Sequence, residues 1–321
     1  FIKMPKKTNL LEERIVYKPF EYPQAFDYWM KQQQAHWLHT EVPMMSDIND
    51  WKQNLNETEK NIIGSILKGF AQTETVVNDY WTGLVTKWFR KPEVIAMATT
   101  FGAMETIHAE AYSLLNEELG LDDFSEFLED ETTMAKIETL MNVRDSFDGE
   151  VDWHERAKSL AIFSAFTEGV NLFSSFAVLL SFKMRNKLKG VGQIVEWSIR
   201  DESMHSEAGC WLFRTLLEEN PHLKTPELEA SINEAALLSL QLELDFIEKV
   251  YELGDLEGCS KYDLQNFIKN RVNTKLADLG YNPIILDVDM TAVKNMKWFD
   301  SLSAGKQHTD FFANRVTNYS K

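Results

Sequence analysis

The feature that most constrains the fold of this chain is a proline-free stretch of 128 residues between Pro92 and Pro221. Proline interrupts helices because it lacks the backbone N–H and its ring collides with the preceding turn. A stretch of this length can therefore contain several long helices. Glycine is also scarce, at 14 of 321 residues, which disfavours sandwiches and barrels because those folds need frequent turns. The sequence predicts a mostly helical chain.

Helical periodicity and the positions of breaking residues predict eight helices. They span residues 23–39, 57–88, 92–119, 123–143, 153–184, 188–218, 226–253 and 260–279. No repeat, low-complexity run or linker rich in serine or proline divides the chain. We therefore expect one domain over residues 1–321, with an extended N-terminal segment at 1–22 and the start of a C-terminal tail at about 300–321.

Charge and cysteine content narrow the classes of function. The chain has 33 Lys and Arg against 50 Asp and Glu, a net charge of -17. Nucleic-acid binding requires a clustered basic surface, so we expect no direct nucleic-acid partner. The two cysteines, Cys210 and Cys259, form no disulfide framework and no Cys-x-x-Cys pair. Because the start of the sequence also has no signal-peptide pattern, we predict a cytoplasmic protein.

The segment Ser159–Phe182 contains 24 residues and a single charged side chain, Glu168, near its middle. Its length would span a membrane, but five serines dilute it and its flanks are typical of ordinary amphipathic helices. We interpret it as the central helix of a bundle, apolar all round, and expect no membrane association. A carboxylate buried in such a helix must be protonated, paired or bound to a metal.

Two predicted helices carry a Glu-x-x-His motif, which begins at Glu105 in one and at Glu202 in the other. At this spacing the two side chains leave one helix face and can reach one ion. An isolated glutamate precedes each motif, Glu74 by 31 residues and Glu168 by 34. This combination is the ligand set of dinuclear carboxylate sites in ferritin-like bundles. The predicted metal ligands are Glu74, Glu105, His108, Glu168, Glu202 and His205.

The donor set also indicates the kind of metal. Carboxylates can bridge two cations about 3.5–4 Å apart, and one imidazole per metal favours iron or manganese over calcium or magnesium. A third match, at Glu219–His222, contains a proline at a helix end, and we interpret it as chance. The joint pattern predicts an all-α, ferritin-like helical bundle with extra flanking helices and two metal ions per chain.

Three further residues are candidates for roles near this centre. Tyr112 lies four residues after His108 and shares its helix face, so it lies beside the predicted metals or is simply a core tyrosine. Asp201 directly precedes a predicted ligand and can hydrogen-bond a ligand imidazole, although it would otherwise be an ordinary helical acid. Trp37 is by default a buried anchor for the N-terminal segment.

Together these residues resemble the small, radical-generating subunit of class I ribonucleotide reductase, and the resemblance covers nearly the whole chain. It rests on five segments of the sequence. They are Val16–Phe20 (VYKPF), Ala35–Glu41 around Trp37 (AHWLHTE), Met104–His108 (METIH), Ile199–Glu202 (IRDE) with His205, and Asp310–Val316 (DFFANRV).

The resemblance implies an activity and partners. The chain would be the small subunit of ribonucleoside-diphosphate reductase, an oxidoreductase active only with its large catalytic subunit. An oxidised dimetal–carboxylate centre would supply the oxidising equivalent that the large subunit uses to reduce ribonucleotides to deoxyribonucleotides. The implied partners are that large subunit, a second copy of the chain in a homodimer, and an activating redox partner.

The resemblance also implies roles for individual residues. Tyr112 stands at the position of the stable tyrosyl radical. Trp37 and Asp201 would join His108 in a relay that carries an electron and a proton towards the large subunit. The implied ligand sets are Glu74, Glu105 and His108 at one metal and Glu168, Glu202 and His205 at the other.

The sequence departs from the family pattern at the first metal ligand. Glu74 stands where the best-known members have aspartate, and glutamate there resembles subgroups that use manganese–iron or dimanganese centres and keep the oxidising equivalent on the metals. The manganese–iron subgroup typically has phenylalanine at the position of Tyr112. A dimanganese centre with Tyr112 as a bystander is favoured, and a manganese–iron or diiron centre with Tyr112 as the radical site is the alternative.

Other proteins with this ligand pattern are competing interpretations. Iron-storage ferritins share the bundle, but their chains are about half as long and have no Trp–Asp relay. Desaturases and diiron monooxygenases share the two Glu-x-x-His helices but place a substrate cavity at the metals. A ligand-binding oxidase of the same superfamily would lack a tyrosine at the position of Tyr112. A helical scaffold without a tightly bound transition metal is the remaining alternative.

Overall fold

The computed structural model describes residues 8–121, 138 and 152–304, without the side chains at 71–75 and 304. Within these ranges the chain forms helices, turns and irregular segments and no strand. The all-α prediction is therefore confirmed. The helix predicted at 123–143 lies outside the described residues apart from residue 138, and so does the Asp310–Val316 segment.

Eleven helices are numbered here in chain order, and the third continues through a π-helical turn, Tyr80–Val85, to Trp88. They are α1 (Pro23–Gln34), α2 (Met45–Gln53), α3 (Glu57–Asp79), α4 (Pro92–Glu118), α5 (Trp153–Ile162), α6 (Phe173–Met184), α7 (Lys189–Glu219), α8 (Pro226–Glu252), α9 (Lys261–Asp278), α10 (Met290–Lys294) and α11 (Lys297–Ala304). Residues 8–22 contain no helix, and α11 extends into the predicted start of the C-terminal tail.

Several helices begin where side chains can satisfy the first free backbone N–H groups. Asn56 and Glu59 form a reciprocal capping box at the start of α3, with hydrogen bonds of 2.8 and 3.1 Å. The start of α7 is capped from another helix, because Asp47 of α2 accepts the N–H groups of Gly190 (2.9 Å) and Val191 (2.7 Å). This contact sets the beginning of the helix that carries the second Glu-x-x-His motif.

The helices that carry the predicted metal ligands pack against one another. Helix α3 packs along α4, and α7 packs along α5, α6 and the π-helical turn Phe163–Thr167. Helix α1 packs on α4 and α7. Helix α8 packs on α5, α9 packs on α6, and both contact the same π-helical turn. The Glu-x-x-His residues therefore face one another across the α4–α7 contact.

The helix predicted at 153–184 is the main local difference between prediction and structure. It is divided into α5, the π-helical turn Phe163–Thr167 and α6, with the residues between Glu168 and Leu172 outside regular helix. Leu172 has a φ of 72°, in the left-handed region. No proline or helix-breaking cluster marks this interruption. The short helices α2, α10 and α11 were also not predicted.

Among the described residues, which include all of Ser159–Phe182, no helix combines the length and the apolar character needed to cross a membrane.

Candidate metal centre

Both Glu-x-x-His motifs point into the bundle. Glu105 and His108 of α4 are fully buried, as is His205 of α7, and Glu202 is 5% exposed. Glu168 is 1% exposed and lies directly after the π-helical turn. Ligand atoms of Glu105, Glu168, Glu202 and His205 all lie within 4.8 Å of one another. The structure therefore brings together residues from three separate parts of the chain.

The two nitrogens of His205 face different partners. Its Nε2 lies 2.7 Å from Oε1 of Gln32, whose own Nε2 donates to Asp201 at 3.1 Å. Because a carboxylate only accepts, this second bond fixes the Gln32 amide with its oxygen towards His205. His205 thus donates from Nε2, and its Nδ1 lies 3.0 Å from Glu105 Oε1 and 3.1 Å from Glu168 Oε2.

His108 repeats this arrangement from the opposite helix. Its Nε2 lies 2.8 Å from Oδ2 of Asp201, and its Nδ1 lies 3.1 Å from Glu202 Oε1 and 3.2 Å from Glu105 Oε2. Burial acts to lower the pKa of His108, but the nearby carboxylates of Glu105, Asp201 and Glu202 raise it well above its usual 6.5. The site therefore strongly favours positive charge at this imidazole.

This donor set fits transition-metal ions. Each imidazole gives its outer N–H to a fixed acceptor, which is the usual way that proteins orient a metal-ligating histidine. Each inner nitrogen then lies between two carboxylate oxygens, a position that is favourable only when a proton or a metal cation lies there. Buried carboxylates that are not protonated need such a cation for the same reason.

Asp201 connects this centre to Trp37. Its Oδ2 accepts the indole N–H of Trp37 at 2.8 Å as well as the N–H of His108, and all three side chains are fully buried. The Trp37 and His108 rings stack with centroids 5.6 Å apart. Burial acts to raise the pKa of Asp201, but the hydrogen bond and charge of His108, together with Arg200, lower it to about 2. Asp201 is therefore ionised at neutral pH.

Tyr112 is fully buried on α4, one turn beyond His108. Its hydroxyl donates to Ser198 of α7 at 2.6 Å, and the Ser198 hydroxyl donates to the carbonyl of Ile194 at 2.9 Å. Its ring packs edge-on against Phe70, with centroids 4.6 Å apart. Ser198 precedes Glu202 by one helical turn, so Tyr112 lies close to the carboxylate cluster.

Apolar rings enclose the centre on the side of His205. Phe101 stacks on the His205 ring with centroids 4.2 Å apart, and Trp81 meets the same ring edge-on at 6.2 Å. Both rings are fully buried. Such walls exclude bulk water and strengthen electrostatic interactions inside the site.

The structure thus brings together five of the six predicted ligands and all three relay or radical candidates. The side chain of the sixth ligand, Glu74, lies outside the described residues. Its backbone lies in α3, four residues after the buried Phe70, on the helix that packs along α4.

Sequence reasoning missed Gln32 and Ser198. Gln32 is 1% exposed and touches both His205 and Asp201, yet it lies within a run of three glutamines on an amphipathic helix. Its position on the buried face of α1, near Ala25 and Tyr28, was the available indication. Ser198 could have been found from its one-turn spacing to Glu202.

The chain is similar to known proteins over most of its length. The model of the family "Ribonucleotide reductase, small chain" matches residues 14–287. The chain belongs to the ribonucleotide reductase small-chain family. It is 35% identical to a chain assigned as a ribonucleoside-diphosphate reductase small subunit in Invertebrate iridescent virus 3, over 98% of this chain and 86% of the relative.

Solved structures share the fold. The R2 subunit of ribonucleotide reductase from Clostridium botulinum superposes with a TM-score of 0.79 at 20% identity, covering 88% of this chain and 89% of that one. The dimanganese(II) NrdF protein of Streptococcus sanguinis superposes with a TM-score of 0.75 at 22% identity, covering 89% and 99%. The ferritin-like prediction is confirmed.

Membership of this small-chain family confirms the predicted activity class. Its members are the radical-generating, oxidoreductase subunits of class I ribonucleotide reductase, which act with a large subunit and form homodimers. The alternatives of a desaturase, a monooxygenase or an iron-storage ferritin are not favoured.

Proposed function

We propose that this chain holds two metal ions and passes an oxidising equivalent from them to a large reductase subunit through His108, Asp201 and Trp37. The observation that carries the proposal is the paired imidazole geometry, in which each outer N–H is bound and each inner nitrogen faces two carboxylates. The proposed ligands are Glu74, Glu105, His108, Glu168, Glu202 and His205. We also propose a single domain over residues 1–321.

Manganese is the metal that we propose, as a dimanganese centre. Glutamate rather than aspartate at Glu74 favours it, and a protein of the same fold is described as dimanganese(II) NrdF. Bound metals would supply a one-electron oxidant inside a site walled by Trp81 and Phe101. We propose Tyr112 as a bystander, and its hydroxyl donating to Ser198 is consistent with a structural role.

The relay depends on a single carboxylate oxygen. Asp201 Oδ2 accepts from both Trp37 and His108, each at 2.8 Å. If Trp37 gave up an electron to bound, oxidised metals, its indole N–H bond would break and the proton would move onto this oxygen, which would leave Trp37 as a neutral radical. Oxidation then creates no unpaired buried charge at Trp37, which lowers its cost in a buried site.

The partners of this chain follow from the same proposal. We propose that it docks as a homodimer on the large catalytic subunit and that a redox partner activates the centre. We also retain the predicted cytoplasmic location.

The relay is tested with Trp37→Phe in the full protein assayed with its large subunit. Phenylalanine keeps the aromatic packing and removes the N–H, so we expect Mn(II) and Fe(II) binding to be unchanged and turnover to be abolished. Trp197→Phe, a partly buried tryptophan that packs on Trp37 with centroids 5.1 Å apart, is the matched control and should retain most of the turnover. Normal turnover in Trp37→Phe would disprove the relay.

Metal identity is tested by loading the protein separately with Mn(II) and Fe(II), oxidising it and recording low-temperature EPR spectra. We expect a manganese-centred signal and no tyrosyl signal. A sharp tyrosyl signal that disappears in Tyr112→Phe would instead make Tyr112 the radical site. Absence of bound metal under every loading would reject the proposed function.

A further inference from the structure

The interruption of the central helix spans residues 168–172, and side chains from helices that carry no predicted metal ligand hydrogen-bond to it. Glu168 N–H reaches Phe163 O at 3.0 Å and Asn171 N–H reaches Phe166 O at 2.9 Å, so both bonds skip one residue more than α-helical bonds do. Regular helix resumes only at Phe173. The backbone that follows Glu168 therefore departs from regular α-helical hydrogen bonding until Phe173.

The fully buried Glu243 of α8 hydrogen-bonds to the interruption. Its Oε1 accepts the backbone N–H of Leu172 at 3.0 Å, and its Oε2 accepts the hydroxyl of Ser174. Leu172 is in the left-handed region, with a φ of 72°, a conformation that residues other than glycine keep only when their surroundings hold it. Glu243 supplies a hydrogen bond to the strained residue itself.

Two more side chains, from α8 and α9, hydrogen-bond to the same interruption. The Nε of Arg271 donates to the carbonyl of Gly169, and the Arg271 guanidinium lies 3.5 Å from the centroid of the Phe173 ring. The hydroxyl of Ser239 lies 3.2 Å from the side-chain oxygen of Asn171. Every contact in this group is made by a helix that contributes none of the predicted metal ligands.

The interruption is also packed tightly against α7, the helix that carries His205. A Cβ atom added to Gly169 would lie 2.6 Å from Ser206 Oγ and 2.8 Å from Lys275 Cδ. A side chain at position 169 would therefore clash with both α7 and α9. The interruption is thus bonded to α8 and packed closely against α7, with the Glu168 carboxylate 3.1 Å from His205 Nδ1.

We infer that Glu243 is a positioning residue for the metal centre, because it holds the helix interruption that places Glu168 beside His205. The inference rests on the proposed function in one respect, namely that Glu168 binds metal. The hydrogen bonds that Glu243 accepts from Leu172 and Ser174 involve neither the predicted ligands nor the relay residues. Outer groups that orient metal ligands commonly change metal affinity about 10- to 100-fold when they are removed.

The experiment titrates the full-length, metal-free protein with Mn(II) and follows the free ion by its EPR signal. Glu243→Leu should weaken Mn(II) binding at least about tenfold. Glu243→Gln should remain within about threefold of wild type, since its amide oxygen can still accept from Leu172. The matched control is Glu93→Leu, which removes a fully buried glutamate that accepts the N–H of Tyr22 at 2.9 Å far from the interruption.

The outcomes separate the inference from the proposed function. Selective weakening in Glu243→Leu supports the inference, whereas wild-type affinity, or equal weakening in Glu93→Leu, overturns it. Glu168→Ala reports on the metal site itself, and unchanged Mn(II) stoichiometry there would reject the proposed ligand set. If Glu243→Leu does not fold, Glu243→Asp replaces it, because the charge is kept while the carboxylate is withdrawn from Leu172 N–H by one methylene group. Weaker Mn(II) binding is then expected, and unchanged binding overturns the inference.

Discussion

Replacing Gln32 by leucine tests the hydrogen-bond network behind the metal centre. Gln32 is 1% exposed, donates to Asp201 at 3.1 Å and lies 2.7 Å from His205 Nε2. Leucine has a similar volume but no polar group. The variant therefore removes a donor from an ionised carboxylate and an acceptor from an imidazole N–H without creating a large cavity.

The expected cost follows from these two contacts. A buried hydrogen bond to a charged group contributes about 1.5–3 kcal/mol, and one between neutral groups contributes about 0.5–1.5 kcal/mol. We expect Gln32→Leu to lower the free energy of unfolding of the metal-free protein by about 2–4 kcal/mol. Because Gln32 also orients the imidazole of His205, Mn(II) affinity should fall about 10- to 100-fold.

Urea denaturation and Mn(II) titration measure these two effects. The neighbouring Gln33 is exposed and donates to Thr100 at 2.7 Å, so Gln33→Leu is a matched control that should change the free energy of unfolding by less than about 0.5 kcal/mol. If Gln32→Leu behaves like Gln33→Leu in both measurements, the network does not orient the centre and the reasoning is refuted.

Three further predictions concern charge and packing. Because the pKa of His108 is raised in the metal-free site, Mn(II) must displace a proton and bind more tightly as pH rises, and calorimetry in buffers of different ionisation enthalpy should detect that proton. Burial acts to raise the pKa of Glu93, but hydrogen bonds lower it below 4.5. Its stabilisation is therefore present above pH 4.5 and lost as pH falls through its lowered value, so the urea midpoints of wild type and Glu93→Gln should converge there. Gly209→Ala should destabilise the protein by about 1–3 kcal/mol, since its Cβ would lie 2.1 Å from Ser164 Oγ. The control Gly64→Ala should not, because its Cβ would meet only ordinary contacts at 3.7 Å. Equal urea midpoints for the two variants would contradict this prediction.

The helices and the metal pattern were predictable because they depend on local spacing. A long proline-free stretch, apolar periodicity and two Glu-x-x-His motifs are properties of neighbouring residues, and helix geometry converts an i, i+3 spacing directly into a shared face. Predicted boundaries such as 92–119 and 226–253 agree with α4 and α8 to within a residue. The same local logic predicted that Glu168 is a buried carboxylate that must be protonated, paired or bound to a metal.

The interruption of the central helix was not predictable from local spacing. Its stabilising contacts come from Glu243 and Arg271, which are 69 or more residues away in the sequence. The break contains Gly169 and Asn171, but each disfavours helix by only about 1 kcal/mol or less. Local propensity is weak enough that a few long-range hydrogen bonds override it.

The sequence by itself determined the fold class and the ligand types, because these follow from residue chemistry and helical periodicity, while the relay role of Trp37, Asp201 and His108 is what the family resemblance implies. The tertiary structure decided which nitrogen of each imidazole faces the carboxylates, since that depends on Asp201 and on Gln32 of a separate helix. It also decided that one oxygen of Asp201 serves both Trp37 and His108. Hydrogen-bond geometry of this kind exists only after packing brings distant segments within about 3 Å.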